Sequence, residues 1–278
     1  MTGTLEGKVA LVTGSGRGIG RAIAQKFAAQ GARVVINDLD ADPAQQVVDE
    51  IRAAGGIATA CSGSVSVADF AERFIGTAMR EYQGVDIIVN NAGYTWDSVI
   101  QKMTDEQWYA IMDVHLTAPF RILRAAQLAI RALVNAEQAA GTLRSRRVVN
   151  ISSVAGIFGN AGQSNYAVAK AGIEGLTKTL AKEWGRYNVT VNCVAYGYIK
   201  TRLTESGAND GATAHIDGRD IRVGVNLGLK AAMEQAIPLG RGGTPEEAAG
   251  AVYLFCLPEA DYISGQTLLC TGGLTGIS

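Results

Sequence analysis

The sequence predicts an α/β fold: a doubly wound parallel sheet with helices on both faces, in a single domain spanning residues 1–278. Three observations predict it. Short apolar, β-rich runs alternate with longer stretches of helical periodicity from the start of the chain onward. The runs carry no polar alternation, so both sheet faces must be covered. With 278 residues, 47% of them hydrophobic, the chain can bury one large core. Crossovers between parallel strands are right-handed, and ligands in such sheets bind beyond the carboxyl ends of the strands, at the switch point.

Val9 to Val12 reads as a buried strand, and Ile19, Ile23 and Phe27 follow at helical spacing until Gly31 stops the helix. Arg33 to Asn37 is a second strand. Pro43 opens a second helix that ends before Gly55-Gly56, and Ile57 to Cys61 is a third strand. Phe70, Phe74, Ala78 and Met79 mark the next helix, and Val85 to Val89 the fourth strand. Thr104, with Gln107 completing a capping box, opens one long helix running to about Ala139. Arg147 to Ile151 is a fifth strand, Ser164 to Trp184 a helix and Val189 to Val194 a sixth strand. Thr244-Pro245-Glu246-Glu247 is a strong helix start, and Thr267 to Cys270 a last short strand. Thr201 to Gly243 lacks clear periodicity, and a connection that long is commonly functional.

Net charge is −1, so no basic surface suggests nucleic acid. No Lys/Arg-rich amphipathic helix suggests a membrane surface. Met1 to Lys8 has no apolar signal core, and no apolar run is long enough to span a bilayer. The four cysteines are scattered without a C-x-x-C pair, as in a cytoplasmic protein with reduced thiols, and no metal-ligand pattern stands out.

Thr13-Gly14-Ser15-Gly16-Arg17-Gly18-Ile19-Gly20 lies between the first strand and the first helix. Glycines let backbone approach a pyrophosphate, and the helix start offers free N–H groups and a positive dipole end. The spacing is T-G-x-x-x-G-x-G rather than G-x-G-x-x-G. Asp38, closing the second strand, suits the ribose hydroxyls of adenosine and repels a 2′-phosphate, which favours NAD over NADP. The alternative for Asp38 is a helix cap, with Asp40 and Asp42 as competitors. Arg17 argues the other way, since a basic residue there suits a 2′-phosphate.

Tyr166 and Lys170 lie one turn apart on a helix. An ammonium there is expected to lower the phenol's pKa toward neutrality and make it an acid/base. Ser153, near the end of the fifth strand, is placed to hold a substrate oxygen beside that phenol; alone, it reads equally as a turn hydroxyl or cap.

With these motifs in order, and with Asn90-Asn91-Ala92-Gly93, Asn150-Ile151-Ser152-Ser153 and Tyr198-Ile199-Lys200-Thr201 after successive strands, the chain resembles the short-chain dehydrogenase/reductase family from end to end. The resemblance implies a Rossmann-type sheet and NAD(H)-dependent interconversion of a secondary alcohol and a ketone, with 3-hydroxyacyl/3-oxoacyl thioesters among the candidate substrates. It implies that Ser153 orients the carbonyl, Tyr166 transfers the proton and Lys170 also binds the nicotinamide ribose. Gly14, Gly18, Ile19 and Gly20 would hold the pyrophosphate. Asn91 and Gly93 would line the cofactor channel, Ile199 and Thr201 would meet the carboxamide, and Val65 the adenine. Tetramers are common in the family, so a homotetramer is expected.

Three positions depart from the family pattern. His115 stands where the family has a catalytic asparagine, and it either holds the relay water, titrates and passes protons, or simply packs. Tyr196 replaces a proline and either stacks on a flat substrate or fills space. Ser64 replaces an aspartate before the adenine contact. Residues 201–243 correspond to a substrate lid, whose Arg202, His215, Arg219, Arg222 and Lys230 either receive an anion or are scattered solvated charges. A catalytically silent NAD-binding regulatory or structural subunit is the alternative function, against which the intact Ser153, Tyr166 and Lys170 argue.

Overall fold

A computed structural model describes residues 3–201, 204, 213–222 and 227–274. The elements in chain order are β1 (Val9–Val12), α1 (Gly18–Ala29), β2 (Arg33–Ile36), α2 (Ala41–Ala53), β3 (Ile57–Ala60), α3 (Phe70–Tyr82) and β4 (Ile87–Asn90). They continue with α4 (Asp105–Met112), α5 (Ala118–Ala139), β5 (Arg146–Ser153), α6 (Val154–Phe158), α7 (Ser164–Trp184) and β6 (Val189–Tyr196). The C-terminal part adds β7 (Thr213–Ile216), β8 (Arg219–Arg222), α8 (Leu227–Ala236), α9 (Pro245–Leu254) and β9 (Thr267–Cys270).

Seven strands form one sheet in the order β3-β2-β1-β4-β5-β6-β9, every pairing parallel. Chain direction across the sheet reverses between β1 and β4, so the switch point lies at their carboxyl ends. Successive strand residues feed opposite faces. Ala10 and Val12 pack with Ile23 and Phe27 of α1, Val47 of α2 and Val252 of α9. Val9 and Leu11 pack on the other face with Phe74 of α3, Ile122 of α5 and Leu180 of α7. This double burial is why the strands read as unbroken apolar runs.

Two expectations need correction. The helix expected from Thr104 to Ala139 is not continuous: α4 gives way to a π turn at Asp113–Thr117 before α5 starts. Pro119 lies in the first turn of α5 and has no N–H to offer the carbonyl one turn back, that of His115, so the regular ladder cannot run through. The segment from Thr201 to Gly243 is also more ordered than its lack of periodicity suggests. Its described residues hold the β7–β8 hairpin and α8. The hairpin turns at Asp217 and Gly218, both at positive φ (51° and 78°), the geometry of a two-residue turn that matches strand twist.

Candidate active site

Every residue proposed from the sequence as catalytic or cofactor-binding lines one cleft of about 950 Å³ along the carboxyl ends of the strands. At its phosphate end, Gly14 and Gly18 adopt left-handed backbone (φ +61° and +53°) open to glycine. A Cβ on Gly20 would stand 2.1 Å from the Gly14 carbonyl oxygen, so the turn closes only without one. No side chain caps the start of α1, which leaves the first-turn N–H groups facing the cleft. This cradle fits a pyrophosphate.

Two asparagines hold the loop in shape. Asn91 Nδ2 donates to the carbonyls of Thr13 (2.9 Å) and Gly14 (3.1 Å). Asn37 Oδ1 accepts from the Gly14 N–H, while its Nδ2 donates to the carbonyls of Cys61 and Gly63 (3.0 Å each) and so ties β1, β2 and β3 together. The role of Asn37 was not foreseen, although its place as a polar residue at the end of an apolar strand was a signal.

At the adenosine end, Asp38 is buried and packs against Gly16. Asp38 does not cap α2. The Arg17 guanidinium bridges it (3.0 Å) and Asp40 (2.9 Å), so both carboxylates engage the one basic residue of the glycine loop. Val65 is buried at the same end, and Ser64 Oγ accepts from the Ser66 N–H. Ile199 and Thr201 also line the cleft, with Thr201 beside Gly18 of the glycine loop, and the Thr201 N–H donates to Thr204 Oγ1 at 2.8 Å.

Ser153, Tyr166, Lys170 and His115 converge at the centre of the cleft. Ser153 ends β5 and accepts from the Ala155 N–H as the cap of α6, a short helix that the sequence reading left out. Its hydroxyl is within hydrogen-bonding reach of the Tyr166 phenol. The Lys170 Nζ donates to the Ile151 carbonyl (2.7 Å) and lies 5.5 Å from the Tyr166 ring centroid. Asn165 also escaped the sequence reading. Its Oδ1 accepts from the Tyr166 N–H and its Nδ2 donates to the carbonyls of Trp96 and Gln107, anchoring the start of α7.

Electrostatics at the pair run against the expectation. Burial pushes the Tyr166 phenol up to about 12 and the Lys170 ammonium down to about 8. At Tyr166 desolvation outweighs the opposing pull of the Ser153 hydroxyl, while the Lys170 Nζ donates to Ile151. The Tyr166 phenol therefore keeps its proton at physiological pH.

The buried lysine has a measurable consequence. Its folded pKa lies below the ordinary 10.5, so holding it charged costs stability in full below about pH 8, and that cost vanishes above the unfolded value. Lys170→Met is expected to raise the melting temperature of the ligand-free protein at pH 7, by a gain of roughly 1–3 kcal/mol. The gain should shrink as pH rises from 8 toward 10.5. Calorimetry of both proteins across that range checks it, and a destabilised variant at pH 7 would refute it.

The π turn carries His115 into the core, 4% exposed. Its Nε2 pairs with the Tyr94 carbonyl at 2.7 Å, and its ring meets the Tyr166 ring edge to face, centroids 5.0 Å apart. A carbonyl only accepts, so Nε2 carries the proton and Nδ1 is a lone-pair acceptor with no partner among the described residues. Burial and the Lys170 charge hold the imidazole well below its ordinary pKa, so it is neutral. A Cβ on Gly93 would lie 2.1 Å from His115 Cε1, so the glycine makes room for this ring.

Tyr196 fills space: it is buried in the α9-side core, where its hydroxyl donates to the Ala248 carbonyl at 2.9 Å. Of the cationic lid residues, Arg202 and the side chains of Arg222 and Lys230 lie outside the described residues. His215 pairs with Asp220 and Arg219 with Glu106, so those two face carboxylates rather than an open anion site.

A family model described as short chain dehydrogenase matches residues 8–211. The chain belongs to the short-chain dehydrogenase family. This short-chain dehydrogenase is 41% identical over 273 residues to the 3-oxoacyl-[acyl-carrier-protein] reductase of Synechocystis, covering 97% of its own length and 98% of the relative's. It is 39% identical over 271 residues to the enzyme of that name from Vibrio cholerae, and 37% identical over 270 residues to that from Escherichia coli, with the same coverage in both cases. It is thus an enzyme, an oxidoreductase interconverting a secondary alcohol and a ketone with a nicotinamide cofactor. No helix among the described residues is long and apolar enough to cross a membrane.

Proposed function

We propose that this short-chain dehydrogenase reduces a 3-oxoacyl thioester to the 3-hydroxyacyl thioester with NADH as the preferred coenzyme. The observation that carries the coenzyme choice is the clasp of Arg17 by Asp38 and Asp40. The loop's one cation is already neutralised by two carboxylates. Asp38 faces the ribose position with negative charge, so a 2′-phosphate meets repulsion instead of a free guanidinium.

The nicotinamide, when bound, supplies hydride to the carbonyl carbon. Ser153 holds the carbonyl oxygen, and Tyr166, neutral as the structure has it, gives that oxygen its phenolic proton. Lys170 places positive charge beside the phenolate left behind and offers its ammonium to the nicotinamide ribose. Of the stretch 201–243, the β7–β8 hairpin, whose Thr213, His215, Ile216 and Asp217 line the cleft, serves as substrate lid over this centre, with the rest of the chain as one cofactor-binding and catalytic domain. The thioester preference rests on the three reductases above, whose names specify 3-oxoacyl substrates. Acetoacetyl-CoA offered with NADH, and separately with NADPH, tests the reading through loss of reduced-nicotinamide absorbance. Faster turnover with NADH is expected. Turnover of simple ketones but not of the thioester would overturn the substrate, and faster turnover with NADPH the coenzyme.

His115 acts in this scheme as a fixed neutral acceptor through Nδ1 that orients its neighbours, not as a titrating shuttle. The protein has two histidines, so its imidazole NMR signals are easily assigned. The His115 signals are expected to keep the neutral Nε2–H signature from about pH 5 to 8. Titration of that ring within the window would restore the shuttle.

The same reading places the enzyme in the cytoplasm as a homotetramer. Exposed Phe120 and Leu128 on α5 and Val168 on α7 are apolar side chains suited to subunit contacts. A sedimentation mass of one chain would remove the tetramer.

A further inference from the structure

The β7–β8 hairpin is docked onto the catalytic wall rather than lying over solvent. Ile221 is 1% exposed and belongs to the same apolar cluster as Tyr94, with Trp96, Ile216 and Tyr166 packed against it. From β8, the Arg219 guanidinium reaches three groups on that wall. Its Nε donates to Glu106 Oε1 of α4 at 3.0 Å, its Cζ lies 5.9 Å from the Trp96 ring centroid, and its charge opposes the rise in pKa that burial imposes on the Tyr94 phenol.

Tyr94 is thereby addressed at both ends. The Arg219 charge acts on its phenol, and His115 Nε2 donates to its carbonyl. His115 in turn lies edge to face with Tyr166. Neighbouring groups thus lead from the hairpin to the proton donor. An exposed Arg–Glu pair alone contributes little, and Glu106 is largely exposed. What distinguishes Arg219 is that one rigid fork meets a carboxylate and an aromatic face while its charge acts on a buried phenol.

We propose that Arg219 is a positioning residue: through Tyr94 it fixes the substrate wall formed by Tyr94 and Trp96, and it keeps His115 against Tyr166. The proposal rests on the oxidoreductase reading of the cleft for its kinetic consequence, and on the packing alone for its structural one. Among the described residues Arg219 has no hydrogen bond or ion pair to the glycine loop, so NADH affinity is expected to be unchanged.

The test is a double-mutant cycle of Arg219→Ala and Tyr94→Phe, with Arg219→Lys alongside. NADH affinity serves as the check that each variant is folded. Arg219→Ala is expected to raise KM for acetoacetyl-CoA about tenfold with a smaller fall in kcat, Tyr94→Phe to act in the same direction, and the double variant to be no worse than the poorer single. Arg219→Lys, which keeps the charge but loses the fork, should recover only part of the loss. Effects that multiply in the double variant, or an Arg219→Ala enzyme with unchanged KM, would overturn the proposal.

A second measurement needs no turnover. Acrylamide quenching of the Trp96 fluorescence, taken as the difference between each protein and its Trp96→Phe counterpart, should increase in Arg219→Ala and Tyr94→Phe. Unchanged quenching in both would refute the positioning role. If the unmodified protein turns over no ketone, the reading of the cleft has failed and the quenching result alone decides the role of Arg219.

Discussion

Tyr166→Phe is expected to lower kcat for ketone reduction by about 10³-fold, the size of a lost general acid, with NADH affinity essentially unchanged. The separation follows from what the substitution removes. The phenylalanine ring still fills the space beside His115, so the edge-to-face contact and the core around α7 persist. Lys170 still donates to Ile151, and Ser153 still caps α6. What disappears is the phenolic proton, which burial keeps in place through the neutral range. Stopped-flow reduction of acetoacetyl-CoA by each protein, beside fluorescence titration with NADH, measures both quantities. Retained turnover in the phenylalanine enzyme would remove Tyr166 from the chemistry and leave Lys170 or a solvent proton as donor.

The second large effect concerns the coenzyme. Asp38→Ser should move the NADH/NADPH preference toward NADPH by about 10²-fold, from two changes acting together. The carboxylate that accepts from the ribose hydroxyls is lost, which weakens NADH. Arg17 is released from its buried partner (Asp38 is 6% exposed) and is left with the exposed Asp40, so it is free to meet a 2′-phosphate. Removing Asp40 as well should enlarge the NADPH gain, and Arg17→Ala in the Asp38→Ser background should abolish it. Titration of each variant with both coenzymes reads the change directly. An unaltered preference in Asp38→Ser would mean that the clasp does not set coenzyme choice.

Much of the scaffold was legible because each local signal agreed with the global one. Val9 to Val12 is buried on both faces and has a single-class apolar pattern. The capping boxes at Thr104 and Thr244 formed as read, since their reciprocal bonds lie within one turn and need no tertiary partner. The hairpin at Thr213–Arg222 was also within reach: Asp217-Gly218 is a strong two-residue turn signal, but the flanking strands are short and their polar residues hid the alternation. The break at the π turn was harder. Pro119 announced that something changes there, yet a proline in a first turn is equally at home in an unbroken design of two abutting helices.

The sequence by itself determined the order of elements, the parallel sheet and the glycine loop, and it offered Ser153, Tyr166 and Lys170 as the candidate catalytic groups. These depend on periodicity, on backbone freedom and on side-chain chemistry within a few residues. Only the tertiary structure decided that Arg17 is held by Asp38 and Asp40, that Tyr196 points into the α9 core, that His115 is tied to the Tyr94 carbonyl, and that Arg219 of the hairpin reaches Glu106 of α4. It also reversed the sign expected for Tyr166. Spacing showed a lysine one turn away and suggested a lowered pKa, but the cost of desolvation depends on everything that surrounds the phenol, and that is assembled from β5, the π turn and α7 only when the chain is folded.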